Sequence, residues 1–259
     1  MKGLNHYLKI FVLLLSALAV TVGGKAETAD SALIADTAQA KTSFMDFRPK
    51  VSRFVLPAAL IGVGAVGSAV DGWKDYHLFT RKDSVDRIHL DDYLEWGMLG
   101  WTFACDLVGK EKHNWGDQLA ITFIAEVLNV GMTRGCKVFF NERRPDGGNY
   151  SFPSGHTANV FLGAQIAFHE FKDTNMALAC SGYLIAAFTA GSRIYNNRHW
   201  VSDVIAGAGF GILSTELAYL IYCPIRDSIA RKNSRLAQHL TAMPMLGSDC
   251  KGVLVVWRF

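Results

Sequence analysis

Long stretches without charged residues constrain this chain more than any other feature of its sequence. Half of its 259 residues are hydrophobic, only 19% are charged, and the apolar residues are grouped in blocks between short polar connections. A helix that crosses a bilayer needs about 20 mainly apolar residues, and several blocks approach that length. The pattern predicts an all-α, membrane-embedded bundle of about five to six core helices. The blocks that we expect to cross are residues 54–70, 118–133, 157–171, 175–192 and 204–222.

One further apolar stretch, residues 92–108, carries Asp92, Glu95 and Asp106. Because acidic side chains are costly in lipid, we expect this stretch to lie at an interface or inside the bundle. Residues 253–259 alternate like a strand, and we expect them to form an unpaired tail packed on the surface. A soluble helical protein with unusually apolar helices is the alternative to membrane insertion.

The N-terminus has the three-part layout of an export signal. Lys2 and Lys9 flank a short polar start, an apolar run follows over residues 10–22, and Gly24 and Ala26 offer small residues for cleavage. An uncleaved signal anchor is the alternative. The predicted organisation is a signal peptide or anchor over 1–26, a polar tether over 27–53, a helical domain over 54–225 and a C-terminal tail over 226–259.

Charge and cysteine content exclude several classes of protein. The net charge of +3 is spread along the chain without a basic block, which argues against a nucleic-acid partner. The five cysteines lie far apart and form no C-x-x-C motif. A zinc ribbon or a dense disulfide scaffold is therefore not expected.

Three short clusters follow one another in the second half of the chain. Each alone has an ordinary explanation, such as a solvated basic face, a turn that enters a helix, or a pair of residues one helical turn apart. Together they fix eleven residue identities, so coincidence is not a reasonable explanation. The clusters are Lys137-x6-Arg144-Pro145, Pro153-Ser154-Gly155-His156 and Ser192-Arg193-x5-His199-x3-Asp203.

The basic residues of these clusters predict an anion pocket. Lys137, Arg144 and Arg193 place three cations at the ends of apolar helices, where a positive charge needs water or an anion. Arginine binds phosphate oxygens bidentately, while lysine acts as a point charge. Ser154 and Gly155 begin a helix, where free backbone N–H groups and the serine hydroxyl can form an anion-binding nest. We therefore expect a pocket for a tetrahedral oxyanion, most simply phosphate.

Two histidines in this pocket suggest two chemical roles. Asp203 follows His199 by one helical turn, and a carboxylate on one imidazole nitrogen frees the other as a nucleophile that would form a phosphohistidine. His156 has no such acid one turn on, and it suits proton transfer to the leaving oxygen and then from water. No metal or other cofactor is expected, because three cations can stabilise phosphoryl charge and the nearby acids are too few for a two-metal site.

The three clusters resemble the motifs of the type 2 phosphatidic acid phosphatase and vanadium haloperoxidase superfamily, with the same internal spacings. The similar core runs from about residue 117 to residue 223, and its second and third motifs look like those of bacterial envelope enzymes that act on lipid phosphates. The resemblance implies a nucleophile at His199 with Asp203 as its partner, and an acid/base at His156. It also implies a phosphate-binding set: Lys137, Arg144, Ser154, Gly155 and Arg193.

The expected function is therefore a metal-independent phosphatase that acts at the bilayer. Its substrates would be lipid phosphate monoesters or diphosphates, similar to phosphatidic acid, lipid A or polyprenyl diphosphate. An exported soluble acid phosphatase of broad specificity is the main alternative. A vanadate-dependent haloperoxidase and a non-enzymatic lipid-binding protein are further alternatives.

Counting spans gives an expected orientation. If the signal segment is the first span and residues 92–108 do not cross, both motif-bearing loops fall on the outer face. The site would then face the periplasm from the inner membrane of a bacterial cell envelope, with residues 71–117 on the cytoplasmic side. Basic residues in that connection and in the tail agree with this orientation, while those between residues 41 and 53 do not.

Overall fold

The fold is a helical bundle followed by a short β-hairpin. The computed structural model describes residues 50–70, 90–107, 109, 112–246 and 251–257. The predicted signal segment, and the predicted tether as far as residue 49, lie outside this part of the chain. The described elements are α1 (Ser52–Ala69), α2 (Leu90–Cys105), α3 (Trp115–Phe140), α4 (Gly155–Phe171), α5 (Met176–Tyr195), α6 (Val201–His239), β1 (Leu240–Leu246) and β2 (Lys251–Trp257).

Helix α4 lies at the centre of the bundle and contacts α2, α3, α5 and α6. Its side chains at Val160, Leu162, Ala164 and Ile166 are completely buried, and they point in different directions around the helix. A helix that is apolar on all sides is typical of a protein core. The arrangement confirms the predicted helical bundle, and it places the second motif, at the start of α4, in the middle of one end.

Helices α4 and α6 run side by side and approach each other closely at two glycines of α6. A Cβ atom at Gly207 would lie 2.6 Å from the carbonyl oxygen of Ser154, and one at Gly211 would lie 2.2 Å from that of Ala158. Small residues of this kind let helices pack closely in membranes. The contact holds the second motif against α6, the helix in which the third motif ends.

Helices α1 and α3 present apolar side chains to the outside of the bundle. Val55 is 60% exposed, Phe123 is 70% exposed and Phe139 is 83% exposed. Extended apolar surfaces of this kind are costly in water and suit contact with lipid. Four of the described helical segments are long and apolar enough to cross a membrane: Ser52–Ala69, Trp115–Phe140, Met176–Tyr195 and Val201–Ala230.

The helices alternate in direction, and α2 takes part in this alternation. Helix α1 ends beside Glu142, and Asp91 at the start of α2 accepts a hydrogen bond from Arg193, so both termini lie at the motif end. Asp106, just after α2, is hydrogen-bonded near the start of α3 at the opposite end. Helix α2 therefore runs the length of the bundle. The expectation that residues 71–117 form one connection away from the site is wrong.

The C-terminal strands form an antiparallel hairpin after α6, with Leu240 opposite Trp257 and Leu246 opposite Lys251. The expectation of an unpaired tail over residues 253–259 is wrong, because the segment before it supplies a partner strand. Pro244 lies inside that partner strand. A two-stranded ribbon tolerates proline because each strand has a free edge.

Candidate active site

All three motifs meet at the end of the bundle where α3 and α5 finish and where α4 and α6 begin. The backbone N–H of Ser154 donates a hydrogen bond of 3.0 Å to the carbonyl oxygen of Asp203, which joins the second motif to the third. Arg144 and His199 lie in the connections between these helices. The structure thus brings every predicted site residue to this end: Lys137, Arg144, Ser154, Gly155, His156, Arg193, His199 and Asp203.

His199 and Asp203 form a buried pair. Nδ1 of His199 lies 3.4 Å from Oδ2 of Asp203, and the two residues are 3% and 0% exposed. The same Oδ2 accepts hydrogen bonds from Ser151 Oγ at 2.5 Å and from the backbone N–H of Trp200 at 2.9 Å. Ser151, just before the second motif, was not predicted as a site residue. Because Asp203 occupies the Nδ1 side of the ring, Nε2 is the nitrogen available for chemistry.

The environment of His199 favours its neutral form. Burial lowers the pKa of His199 well below its usual value, and the positive charges of Lys137, Arg193 and Arg144 lower it further. The charge of His156 acts in the same direction. A neutral imidazole keeps the lone pair that a nucleophile needs.

Two arginines of the site have unused hydrogen-bonding capacity. The Nε atoms of Arg144 and Arg193 are buried and have no hydrogen-bond partner among the described residues. Burial also lowers the pKa of Arg144, which lies in a loop outside the membrane helices. Nζ of Lys137 donates to the carbonyl oxygen of Tyr150 at 2.8 Å. Buried donors without acceptors are rare in folded proteins, and a bound anion would satisfy them.

The start of α4 has the predicted capping geometry. Ser154 is the N-cap residue, and its Oγ accepts hydrogen bonds from the backbone N–H and the hydroxyl of Thr157. A Cβ atom at Gly155 would meet no atom within 4 Å, so the space beside this glycine is open. The serine hydroxyl therefore serves the helix directly, while the backbone beside Gly155 is accessible to a ligand.

Helix α2 supplies three acids that the sequence did not assign to the site. Nη1 of Arg193 donates to Asp91 at 2.9 Å and to Asp92 at 3.1 Å. Nε2 of His156 lies 2.9 Å from Glu95 and 3.4 Å from Asp92. The signal that could have revealed them is their charge, since acids in an apolar helix need cationic partners.

The fold and these contacts define a class: a membrane-embedded helical protein whose pocket combines buried cations with two histidines. In the part of the chain that the structure describes, no group of three or more His, Cys, Asp or Glu side chains could hold a metal ion. Residues 117–224, which contain all three motifs, match the PAP2 superfamily. The resemblance inferred from the motifs is thereby confirmed over this segment.

Two curated proteins of Porphyromonas gingivalis are similar to parts of the chain. A lipid A 1-phosphatase is 43% identical over 114 residues, which cover 44% of this chain and 25% of that protein. A lipid A 4'-phosphatase is 32% identical over 81 residues, which cover 31% of this chain and 34% of that protein. The matched region thus spans about a quarter to a third of each relative.

Among solved structures, that of LpxE from Aquifex aeolicus is similar with 19% identity and a TM-score of 0.40. The alignment covers 70% of this chain and 93% of that one.

Proposed function

We propose that this protein is a metal-independent phosphatase that hydrolyses lipid phosphate monoesters or diphosphates. The observation that carries the proposal is the buried His199–Asp203 pair, surrounded by Lys137, Arg144 and Arg193, whose charges all act on His199. Such a pocket can bind phosphate oxygens and supply a nucleophile in the same place. The names of the relatives support a substrate of the lipid A type.

In the first proposed step, Nε2 of His199 attacks phosphorus while the bond from phosphorus to the leaving oxygen breaks. His156 donates a proton to that oxygen, so a monoester releases its lipid as an alcohol and a diphosphate releases it as a monophosphate. The enzyme now holds a phosphohistidine. Asp203, beside Nδ1, stabilises the positive charge that develops on the ring.

In the second proposed step, His156 takes a proton from water, whose oxygen attacks phosphorus as the bond to Nε2 breaks. Inorganic phosphate leaves, His199 regains its lone pair and His156 regains its proton. Lys137, Arg144 and Arg193 stabilise the phosphoryl oxygens in both steps, since electrostatic stabilisation is usually the largest contribution to phosphoryl transfer. The open backbone beside Gly155, in the turn that Ser154 caps, adds N–H donors to the same oxyanion.

The surface next to the pocket supports a lipid substrate. Val138, Phe139 and Phe140 follow Lys137 directly at the end of α3, and they are 74%, 83% and 48% exposed. An apolar surface at this position allows acyl or prenyl chains to stay in lipid while the phosphate reaches the buried cations. A phosphatase of small soluble substrates has no need of such a surface.

We also propose that the site faces the periplasm from the inner membrane. The opposite end of the bundle carries Lys50, Arg53, Lys112, Lys172 and Arg226, and basic residues of this kind are typical of a cytoplasmic end. Because the described helices alternate, this orientation places residue 50 in the cytoplasm. A cleaved export signal would place it outside, so the two expectations compete.

Labelling of single cysteines tests the orientation. In a background with the five native cysteines replaced by serine, Asn149→Cys lies at the site end and Asp173→Cys at the opposite end, both in exposed turns. A membrane-impermeant maleimide added to intact cells with a permeable outer membrane should label Asn149→Cys alone. Labelling of Asp173→Cys alone would show that the site faces the cytoplasm.

A phosphate-release panel on the purified protein in detergent tests the activity. We expect release from phosphatidic acid, phosphatidylglycerol phosphate, undecaprenyl diphosphate or lipid A, with at least one lipid preferred over a water-soluble aryl phosphate. His199→Ala is the inactive control, and a chelator should leave the rate unchanged. Full activity on the aryl phosphate alone, in a salt-washed fraction without detergent, would favour a soluble acid phosphatase instead.

A further inference from the structure

The site contains a second carboxylate–imidazole pair besides His199 and Asp203. Nε2 of His156 lies 2.9 Å from Oε2 of Glu95, and the Glu95 side chain is 15% exposed. Asp92 is farther from the same nitrogen, at 3.4 Å, and its side chain is 57% exposed. Asp92 also contacts Arg193 at 3.1 Å. Glu95 is therefore the closer and better shielded partner of His156.

Glu95 is held in place by a partly buried chain of amides that joins three helices. Nδ2 of Asn159, on α4, donates a hydrogen bond of 2.9 Å to Oε1 of Glu95. Oδ1 of Asn159 in turn accepts a hydrogen bond of 2.6 Å from Asn129, on α3, which is 1% exposed. The two oxygens of Glu95 thus have separate partners, one amide and one imidazole. Asp203 differs in this respect, because Ser151 and His199 both contact its Oδ2.

We propose that Glu95 is the positioning residue for the acid/base His156, an inference that rests on the proposed function. The carboxylate holds the Nε2 side of the ring at hydrogen-bonding distance and so leaves Nδ1 facing away from it. Nδ1 is then the nitrogen that transfers the proton. As the bond from phosphorus to the leaving oxygen breaks, the Nδ1 proton moves to that oxygen, and Glu95 stays ionised throughout.

Substrates whose leaving groups differ in basicity distinguish the proposed positioning role of Glu95 from a purely structural role. A lipid alkoxide needs a proton as it leaves, whereas p-nitrophenolate leaves without one. In Glu95→Gln we expect the first turnover of the lipid phosphate to slow by about 10²- to 10³-fold, the usual contribution of general acid catalysis. The first-turnover burst of p-nitrophenolate should change by less than about threefold, because it needs no proton donor.

Four further variants complete the test. His156→Ala should reproduce the selective loss, and the double variant Glu95→Gln/His156→Ala should lose little more than His156→Ala, because the two residues act as one unit. Asn159→Ser, which keeps the carboxylate but removes its amide partner, should show the same selectivity to a smaller extent. If Glu95→Gln does not fold, Asn159→Ser provides the test in its place. Asp106→Asn, just after the far end of α2, is the control for loss of a carboxylate elsewhere on this segment.

The outcomes are distinct. An equal loss on both substrates in folded Glu95→Gln, or a loss that adds fully to that of His156→Ala, would overturn the role of Glu95 and leave the phosphatase proposal intact. If the wild-type protein releases phosphate from neither substrate, the proposed function fails, and the role of Glu95 fails with it. A selective loss on the lipid phosphate supports both.

Discussion

The two ends of α4 carry similar residues with different partners. His156 lies near the start of the helix and His169 near its end, about 20 Å apart at 1.5 Å per residue. At the far end, Nε2 of His169 lies 2.6 Å from Glu216, and Nδ1 of His113 lies 2.8 Å from Glu170. Neutral donors complete these pairs, since Gln165 donates to Glu216 and Tyr219 donates to Glu170. Each imidazole there is matched by a buried carboxylate within the protein.

The site end differs in the surroundings of its buried arginines rather than in its residue types, because at the far end Nη1 of Arg53 has the carboxylate of Glu216 at 4.0 Å. The Nε atoms of Arg144 and Arg193 are buried at the site end without a hydrogen-bond partner among the described residues. At the far end, by contrast, the protein itself provides acceptors for the donors of Gln165 and Tyr219. Histidine–carboxylate pairs alone therefore do not mark an active site in this bundle. We propose that the capacity to bind an additional anion does.

The largest expected effect is that of His199→Ala, which removes the proposed nucleophile. We expect the rate of phosphate release to fall on the order of 10⁶-fold, as when a covalent nucleophile is removed from other hydrolases. Stopped assays with the preferred lipid from the panel measure the loss. The matched change at the far end is His169→Ala. If the rate of phosphate release fell by a similar factor in folded His169→Ala, the two ends would not differ in catalytic role.

Asp203→Asn comes next, because it keeps the shape of the side chain but removes its charge. An amide at this position can hold the imidazole in the wrong tautomer and does not stabilise a positive ring, so we expect a loss on the order of 10⁴-fold in kcat. Thermal unfolding checks that the variant still folds. Near-normal kcat would mean that Asp203 only supports the loop through Ser151 and Trp200.

At the far end, Glu170→Gln should affect stability rather than chemistry. Glu170 is 1% exposed and is bonded by Tyr219 and by both the ring and the backbone of His113. Disruption of such a buried pair should lower the free energy of unfolding by about 3 kcal/mol, with kcat per folded molecule within about twofold.

Asp173→Asn is the control for this change, since its contact with Lys112 is 3.8 Å long and exposed. It should cost less than about 0.5 kcal/mol. If kcat of Glu170→Gln fell strongly while its free energy of unfolding stayed unchanged, the far end would take part in catalysis, contrary to this prediction.

The smallest effect concerns pH. Burial and the nearby cations lower the pKa of His199 in the folded protein, so the unfolded chain binds this proton more readily. The stabilising contribution of a neutral His199 is therefore complete above about pH 6.5 and is lost as the pH falls below that value, by up to about 1.4 kcal/mol per pH unit. Unfolding in detergent between pH 7.5 and 5.5 should thus be steeper in wild type than in His199→Ala. Equal slopes would show that His199 titrates as an ordinary histidine.

The motifs predict a set of residues that the structure places at one end of the bundle, because each motif is local. Ser154 and His156 lie within one turn, as do His199 and Asp203, so spacing alone places each pair together. The acids of α2 could not be found in this way. Asp91 is 102 positions from Arg193, and no pattern within a single chain connects such distant partners. Asp91 and Asp92 look equally like the acidic first turn of a helix.

The helical bundle was predictable from the apolar blocks, but the path of α2 and the hairpin were not. The acids of this segment suggested an interface or the bundle interior but not a helix that runs the length of the bundle, with Asp91 paired to Arg193 and Glu95 to His156 at the site end. The strand Leu240–Leu246 contains Pro244 and lacks a regular alternation, so neither pairing nor β structure was evident.

The central claim is that His199 attacks phosphorus within a pocket of three cations. Rapid acid-free quenching of the wild-type enzyme with a ³²P-labelled lipid phosphate, followed by peptide mapping, tests this most directly. We predict a label that is stable in base, labile in acid and located on the peptide that contains His199. A label on any other residue, or turnover of the same substrate with no labelled protein at any time, would contradict the claim.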